Sequence, residues 1–323
     1  MAFIRSVSNI LRPTFSCKPM RTCSTESWKK LNFTDKVAVI TGGASGIGYN
    51  IAKEFLTHGM LAVTLVDNNK EKLEKSAETL IDEFGDSKVV QYEADVSDVD
   101  QMDKAFRNTS MYFQVIDVIV NNAGVLDDTN WEKQLNINMR GCIIGTLLGM
   151  QYMAKSSAGE GGIIVNVASI MGILPSNGFP IHTMTQFGIV GFTRALGSSK
   201  LYERTGVKVF GYCPGLTDTE LFKDDLTDKT INQNFFNEFH NESKHNVKQN
   251  PEIVGKNLAR ILDLAKPGSI WVTENNKTAY EMDYSKAIKK KEYQPEEGNC
   301  GIYIINSSLI SLIIFEKISE PEN

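Results

Sequence analysis

Eight residues near the start of the chain, Thr41-Gly42-Gly43-Ala44-Ser45-Gly46-Ile47-Gly48, have the composition of a phosphate cradle. Glycines let a backbone turn tightly and approach a pyrophosphate, and the free amides and positive dipole of the helix that follows face the phosphates. A glycine-rich turn alone is a weak signal. Asp67 strengthens it, lying 19 residues past Gly48, where a carboxylate ending the next strand accepts hydrogen bonds from adenosine ribose hydroxyls. That carboxylate repels a 2′-phosphate, so the pair predicts NAD rather than NADP. Metal chemistry has no comparable pattern. The four histidines (His58, His182, His240, His245) and five cysteines (Cys17, Cys23, Cys142, Cys213, Cys300) show no ligand spacing, and no metal is predicted. The odd cysteine count without a redox pair predicts a reducing, intracellular compartment.

A cradle of this kind needs strands and helices to hold it. From Lys36 short runs rich in β-branched residues alternate with helical patterns. Strands are predicted over residues 36–41, 62–67, 88–93, 115–121, 162–167, 207–213 and 270–273. Helices are predicted over 47–58, 70–83, 98–108, 132–155, 181–202 and 252–264. Near-continuous apolar strands separated by helices mean a parallel sheet covered on both faces. The expected fold is α/β, a single doubly wound (Rossmann) domain with a seven-stranded, mainly parallel sheet. No second core or internal repeat is visible, so residues 34–284 are read as one domain.

Composition agrees. The 323 residues are 41% hydrophobic and 23% charged with 25 Gly and 9 Pro, which excludes a fibre, a disulfide knot and a wholly disordered chain. A net charge of -5 argues against nucleic-acid binding through a basic surface. The charge is uneven: Arg5, Arg12, Lys18, Arg21, Lys29 and Lys30 stand against Glu26 alone, so a basic leader precedes an acidic body. Within leader 1–33, Phe3, Ile4, Val7, Ile10 and Leu11 share one face of a short helix ending before Pro13, the pattern of a mitochondrial transit peptide. The alternatives are an ordinary N-terminal arm or a true start at Met20, which would leave the protein cytoplasmic. In the tail, 285–323, the apolar run from Ile302 to Phe315 is 14 residues long and broken by Asn306, Ser307, Ser308 and Ser311. A membrane span needs about 17–25 mostly apolar residues, so none is predicted. An edge strand, a membrane-surface segment or a misread exon are the readings left.

The glycine turn resembles the TGxxxGxG motif of the short-chain dehydrogenases/reductases. So do Asp95-Val96 after the third strand, Asn121-Asn122-Ala123-Gly124 after the fourth and Pro214-Gly215 after the sixth. Segments 130–133, 145–149, 159–166 and 187–194 are similar to the branch of that family containing NAD-dependent 15-hydroxyprostaglandin dehydrogenase and its insect-type relatives. The resemblance runs from about residue 33 to about residue 284. It implies an NAD cofactor held by Gly42, Ser45, Gly46, Ile47, Gly48, Asp67, Asp95, Val96, Asn121, Asn122, Ala123, Gly124, Pro214, Gly215 and Thr219. It further implies an alcohol or ketone substrate, a lid formed by the Asn-rich segment 218–250 with Phe235, Phe236 and Phe239, and a homo- or heterodimer paired through helices 132–155 and 181–202.

The family's chemistry uses a Ser, an Asn, and a Tyr followed four residues later by a Lys. By motif the Ser is Ser169 and the Asn is Asn138, but the Tyr and Lys positions hold His182 and Gln186. In the family the tyrosinate takes the alcohol proton while hydride leaves for nicotinamide. A phenol with an ordinary pKa of about 10 must be lowered by roughly 2–3 to do so near neutrality, and the lysine cation supplies much of that. Gln186 has no charge, although its amide can still bond ribose hydroxyls. His182 titrates near 6.5 unaided, which makes it a consistent base; imidazole is also shorter than phenol, and a misplacement of about 1 Å costs on the order of 10²-fold in rate. Tyr49/Lys53 and Tyr152/Lys155 lie elsewhere in the chain and do not replace the pair. The resemblance therefore implies retained NAD binding with oxidoreductase activity weak or lost. The competing reading is an active dehydrogenase of secondary alcohols or hydroxy fatty acids with His182 as base.

Overall fold

The computed structural model of the chain describes residues 33–222, 225–244 and 247–284, and the backbone of 304–305 and 312–313. The expectations for the leader, and most of the apolar run in the tail, fall outside these residues. The described residues up to Met282 form one compact unit. Beyond it, Ile304–Ile305 and Leu312–Ile313 pair with each other antiparallel.

The body alternates strand and helix because its central strands are buried on both faces. In order these are β1 (Val37–Thr41), α1 (Gly46–Thr57), β2 (Ala62–Asp67), α2 (Lys70–Phe84), β3 (Val89–Glu93), α3 (Val99–Phe113) and β4 (Val118–Asn121). Then come the short α4 (Trp131–Gln134), a π-helical stretch Leu135–Gly141, α5 (Cys142–Met153), β5 (Gly162–Val167), α6 (Pro180–Leu196), α7 (Ser199–Thr205) and β6 (Val207–Pro214). Helices α8 (Gln233–Ser243) and α9 (Pro251–Ile261) precede β7 (Ile270–Thr273) and β8 (Tyr280–Glu281). The sheet order is β3-β2-β1-β4-β5-β6-β7-β8, parallel through β7. Every residue of β1 and β6 is buried. One core, with Phe55, Leu73 and Leu258, lies under α1, α2 and α9; the other, with Phe106, Leu148 and Met153, lies under α3 and α5. The chain reverses its direction across the sheet between β1 and β4. In doubly wound sheets ligands bind beyond the carboxyl ends of the strands at such a point.

The sheet has eight strands, not the expected seven. Strand β8 returns antiparallel on β7, with Trp271 opposite Glu281 and Val272 opposite Tyr280. The reversal follows Asn275 and Asn276, which both take positive φ (54° and 56°), as asparagine does more readily than most residues. The helix expected over 181–202 is two. A Cβ at Gly197 would fall 2.1 Å from the Gly268 nitrogen, and the Ser198 hydroxyl caps α7 at Leu201 N, so the chain turns there. The helix expected over 132–155 is continuous in direction but widens into π geometry around Asn138.

Candidate active site

The end of β1 and the start of α1 form the cradle. Gly42 and Gly46 take φ of +64° and +53°, which a side chain rarely adopts. Ser45 makes no side-chain cap on α1, so the helix's first amides keep their donors for a ligand. Asn122 locks the turn to β4: its Nδ2 donates to Thr41 O at 3.0 Å and to Gly42 O at 3.3 Å. The backbone amides of Asn122 and Ala123 both donate to Thr41 Oγ1.

A recess of about 470 Å³ lies over this turn. Gly42, Ser45, Gly46, Ile47, Asp67, Asp95, Val96, Asn122, Ala123, Gly124 and Thr219 line it. The Asp67 carboxylate is held at its mouth, accepting from Ala44 N at 3.1 Å and Asn69 N at 3.0 Å. Asp95 accepts from the Ser97 backbone and hydroxyl. Four expected residues do not line it; Pro214 and Gly215 border the narrower recess beside it. Gly48 sits beneath the turn, where a Cβ would come within 2.2 Å of Gly42 O. Asn121 is buried and turned away, donating to Thr146 Oγ1 and Asn166 Oδ1. Sequence reasoning missed Lys72 and Glu220, which also line the recess and form an ion pair.

The first recess adjoins a narrow one of about 90 Å³ that gathers Asn138, Ser169, His182, Gln186, Pro214, Gly215 and Thr219. Strand β5 ends just before Ser169, whose hydroxyl accepts from Met171 N at 3.2 Å and keeps its own hydrogen to donate into the recess. Helix α6 carries His182 and Gln186 one turn apart. The π-helical stretch swings Asn138 against the loop after β4: its Oδ1 accepts from Val125 N at 2.8 Å and its Nδ2 donates to Val125 O at 2.9 Å. With the amide fixed this way, Nδ2 also faces Thr185 Oγ1 at 3.3 Å and His182 Nδ1 at 3.5 Å. Such stretches are frequent at functional sites.

His182 is only 4% exposed. Burial pushes its pKa down to about 4, against a smaller opposing effect of the Val125 backbone. The imidazole is therefore neutral at physiological pH. Gln186 is likewise buried and donates to Thr185 Oγ1 at 3.1 Å. A carboxylate unforeseen in the sequence holds this helix: buried Asp128 accepts from Ile181 N, His182 N and Gln134 Nε2, each at 2.8 Å. Burial raises its pKa, and these three hydrogen bonds lower it. A third recess, about 290 Å³, opens beyond Ser169 between the loop after β5 and helix α8.

A doubly wound sheet with a glycine turn at its switch point and a Ser–Asn pair beyond it defines a class of nucleotide-dependent oxidoreductases. Residues 36–230 match the family model described as short chain dehydrogenase, and the chain belongs to that family. Among curated relatives, mouse 15-hydroxyprostaglandin dehydrogenase [NAD(+)] is 34% identical over 259 residues, covering 79% of this chain and 95% of the relative. Alcohol dehydrogenase 1 of Ceratitis cosyra is 34% identical over 244 residues, 75% and 93% of the two chains. Among solved structures, levodione reductase superposes with a TM-score of 0.65 at 25% identity, covering 75% of this chain and 97% of that one. The 3-ketoacyl-(acyl-carrier-protein) reductase of Brucella melitensis complexed with NADH has a TM-score of 0.62 at 23% identity, covering 75% and 98%, a likeness of fold. Among the described residues no helix is long and apolar enough to cross a membrane.

Proposed function

We propose that this chain binds NAD(H) and has weak or lost oxidoreductase activity. The observation that carries this reading is His182: a buried imidazole with its pKa pushed down to about 4, standing where the family has a tyrosine, with uncharged Gln186 in place of the lysine. When bound, the nicotinamide ring supplies the hydride acceptor or donor. The chain's own residues then bind, orient and exclude water. Gly42, Gly46 and the first turn of α1 hold the pyrophosphate, Asp67 the adenosine ribose, and Gln186 the nicotinamide ribose. Ser169 donates to the substrate oxygen. The remaining task, moving the alcohol proton, falls to His182. A base whose conjugate acid titrates near 4 gives up about 4 kcal/mol of driving force against one tuned near 7. A positive nicotinamide nearby lowers its basicity further.

The cradle supports cofactor binding independently: a Cβ on Gly48 would strike Gly42 O, and a Cβ on Gly46 would sit 3.1 Å from Thr219, so the groove is shaped by glycine on both sides. The competing reading, a working dehydrogenase of secondary alcohols or hydroxy fatty acids, is favoured by one fact, that a neutral His182 shares a recess with Ser169. The test is NADH fluorescence titration alongside NAD reduction with a panel of secondary alcohols. NADH binding with little turnover supports the proposal. Robust turnover abolished by His182→Ala supports its competitor.

By analogy with the family, a homo- or heterodimer through α5 and α6 is part of the proposal. Ile143 on α5 and Met184 and Phe187 on α6 are exposed, which supports it. An intracellular location, mitochondrial if the leader directs import, is tested by whether a reporter fused after residue 33 enters mitochondria.

A further inference from the structure

Thr185, on α6 between His182 and Gln186, is fully buried, and its hydroxyl meets three partners. It donates to His182 O at 2.7 Å, since a carbonyl can only accept. Asn138 Nδ2 stands 3.3 Å from the same oxygen and Gln186 Nε2 3.1 Å from it. A hydroxyl has one hydrogen and two lone pairs, so with the hydrogen spent on His182 O both amides must donate to it. For Asn138 this polarity holds independently, because its two bonds to the Val125 backbone distinguish Oδ1 from Nδ2. The same logic then fixes Gln186. Turned over, its Oε1 would meet a hydroxyl with no hydrogen to give, in a place where both residues are buried. With Nε2 held by Thr185, the end of the amide left for a ligand in the narrow recess is Oε1. A lysine at this position has three donors and no acceptor, so Gln186 and the family's residue offer a ribose opposite partners.

We propose that Thr185 is a positioning residue: it fixes the Gln186 amide so that this chain reads the nicotinamide ribose by accepting a hydrogen bond from a ribose hydroxyl, where an ammonium could only donate one. The proposal rests on the reading above, that Gln186 holds the nicotinamide ribose of NAD(H). It gives an uncharged pair of side chains the ribose contact that the missing cation would make.

The test measures by calorimetry how the full chain binds NADH, ADP-ribose, which keeps the second ribose without nicotinamide, and ADP, which lacks both. Thr185→Val keeps the shape of the side chain and removes the hydroxyl. It is expected to weaken NADH and ADP-ribose by about three- to tenfold and to leave ADP within about twofold of the native chain. Thr185→Ser, which keeps the hydroxyl, should recover most of the NADH affinity. With Gln186→Leu already in place, Thr185→Val should change NADH affinity by less than about twofold, because its effect runs through Gln186. A packing role alone would weaken ADP as much as NADH and would persist in the Gln186→Leu background. Either of those results overturns the proposal, as does unchanged NADH affinity in Thr185→Val. Thr185→Ala is read in the same way if the valine variant does not fold. A native chain that binds ADP and NADH while Thr185→Val is neutral leaves the cofactor reading standing, whereas a native chain that binds neither overturns both.

Discussion

The Asn138 amide and the His182 imidazole face each other at 3.5 Å, Nδ2 to Nδ1, and two bonds to Val125 keep the amide from turning over. A donor aimed at the ring nitrogen opposes a second proton there, as burial does. His182 is thus held neutral from two directions.

This has a pH consequence. His182 titrates near 4 in the fold and near 6.5 in the unfolded chain, so between these values the unfolded state binds more protons. Its contribution to stability is fully present above about 6.5 and is lost as pH falls through about 4, amounting to about 3 kcal/mol. Urea denaturation at pH 7 and pH 4 should show His182→Gln losing about that much less than the native chain. Equal losses would contradict the assignment.

Asp128 holds the first turn of α6 through Ile181 N and His182 N. Asp128→Ala leaves the Ile181 and His182 amides and Gln134 without their acceptor, and should cost about 2–4 kcal/mol. Asp128→Asn keeps one acceptor oxygen and should lie between. A cost below about 0.5 kcal/mol in denaturant titration would show that the helix start is held by other contacts.

Asp67 presents a carboxylate at the mouth of the recess over the glycine turn. Asp67→Ser removes the charge that repels a 2′-phosphate, so the preference for NADH over NADPH should narrow by about tenfold or more. Paired fluorescence titrations measure it, and an unchanged ratio rejects the role.

Lys72 on α2 and Glu220 in the segment after β6 form an ion pair and line the same recess. Both are solvent-exposed, so the pair is worth at most about 1 kcal/mol. Glu220→Gln should speed NADH release by no more than about fivefold, and by less at high salt. Stopped-flow displacement reads this. A much larger effect would mean that Glu220 touches the cofactor itself.

The parts of this molecule legible in its sequence are those whose signal is local. Strands β2, β5 and β7 are continuous apolar runs bounded by turn residues, and the glycine turn announces itself by composition. Residues 169, 182 and 186 follow from motif order. What escapes depends on contacts far apart in the chain. Asp128 is an ordinary loop aspartate until folding brings Ile181 and His182 to it. Asn121 reads as a cofactor residue, but strand alternation turns it under the sheet toward Asn166, while Asn122 beside it faces the cradle. The break in helix 181–202 comes from the close approach of Gly197 to Gly268, and the π geometry at Asn138 has no composition of its own. Asn275-Asn276 was a readable hairpin signal for the eighth strand.

The central claim is that cofactor binding persists while the proton-transfer pair is missing, and the most direct measurement restores the pair. NAD reduction with secondary alcohols is compared between the native chain and His182→Tyr with Gln186→Lys, at matched NADH occupancy. The account predicts that the native chain binds NADH and turns over little, and that the double variant turns over at least about 10²-fold faster. Fast native turnover that the double substitution leaves unchanged or lowers would contradict it.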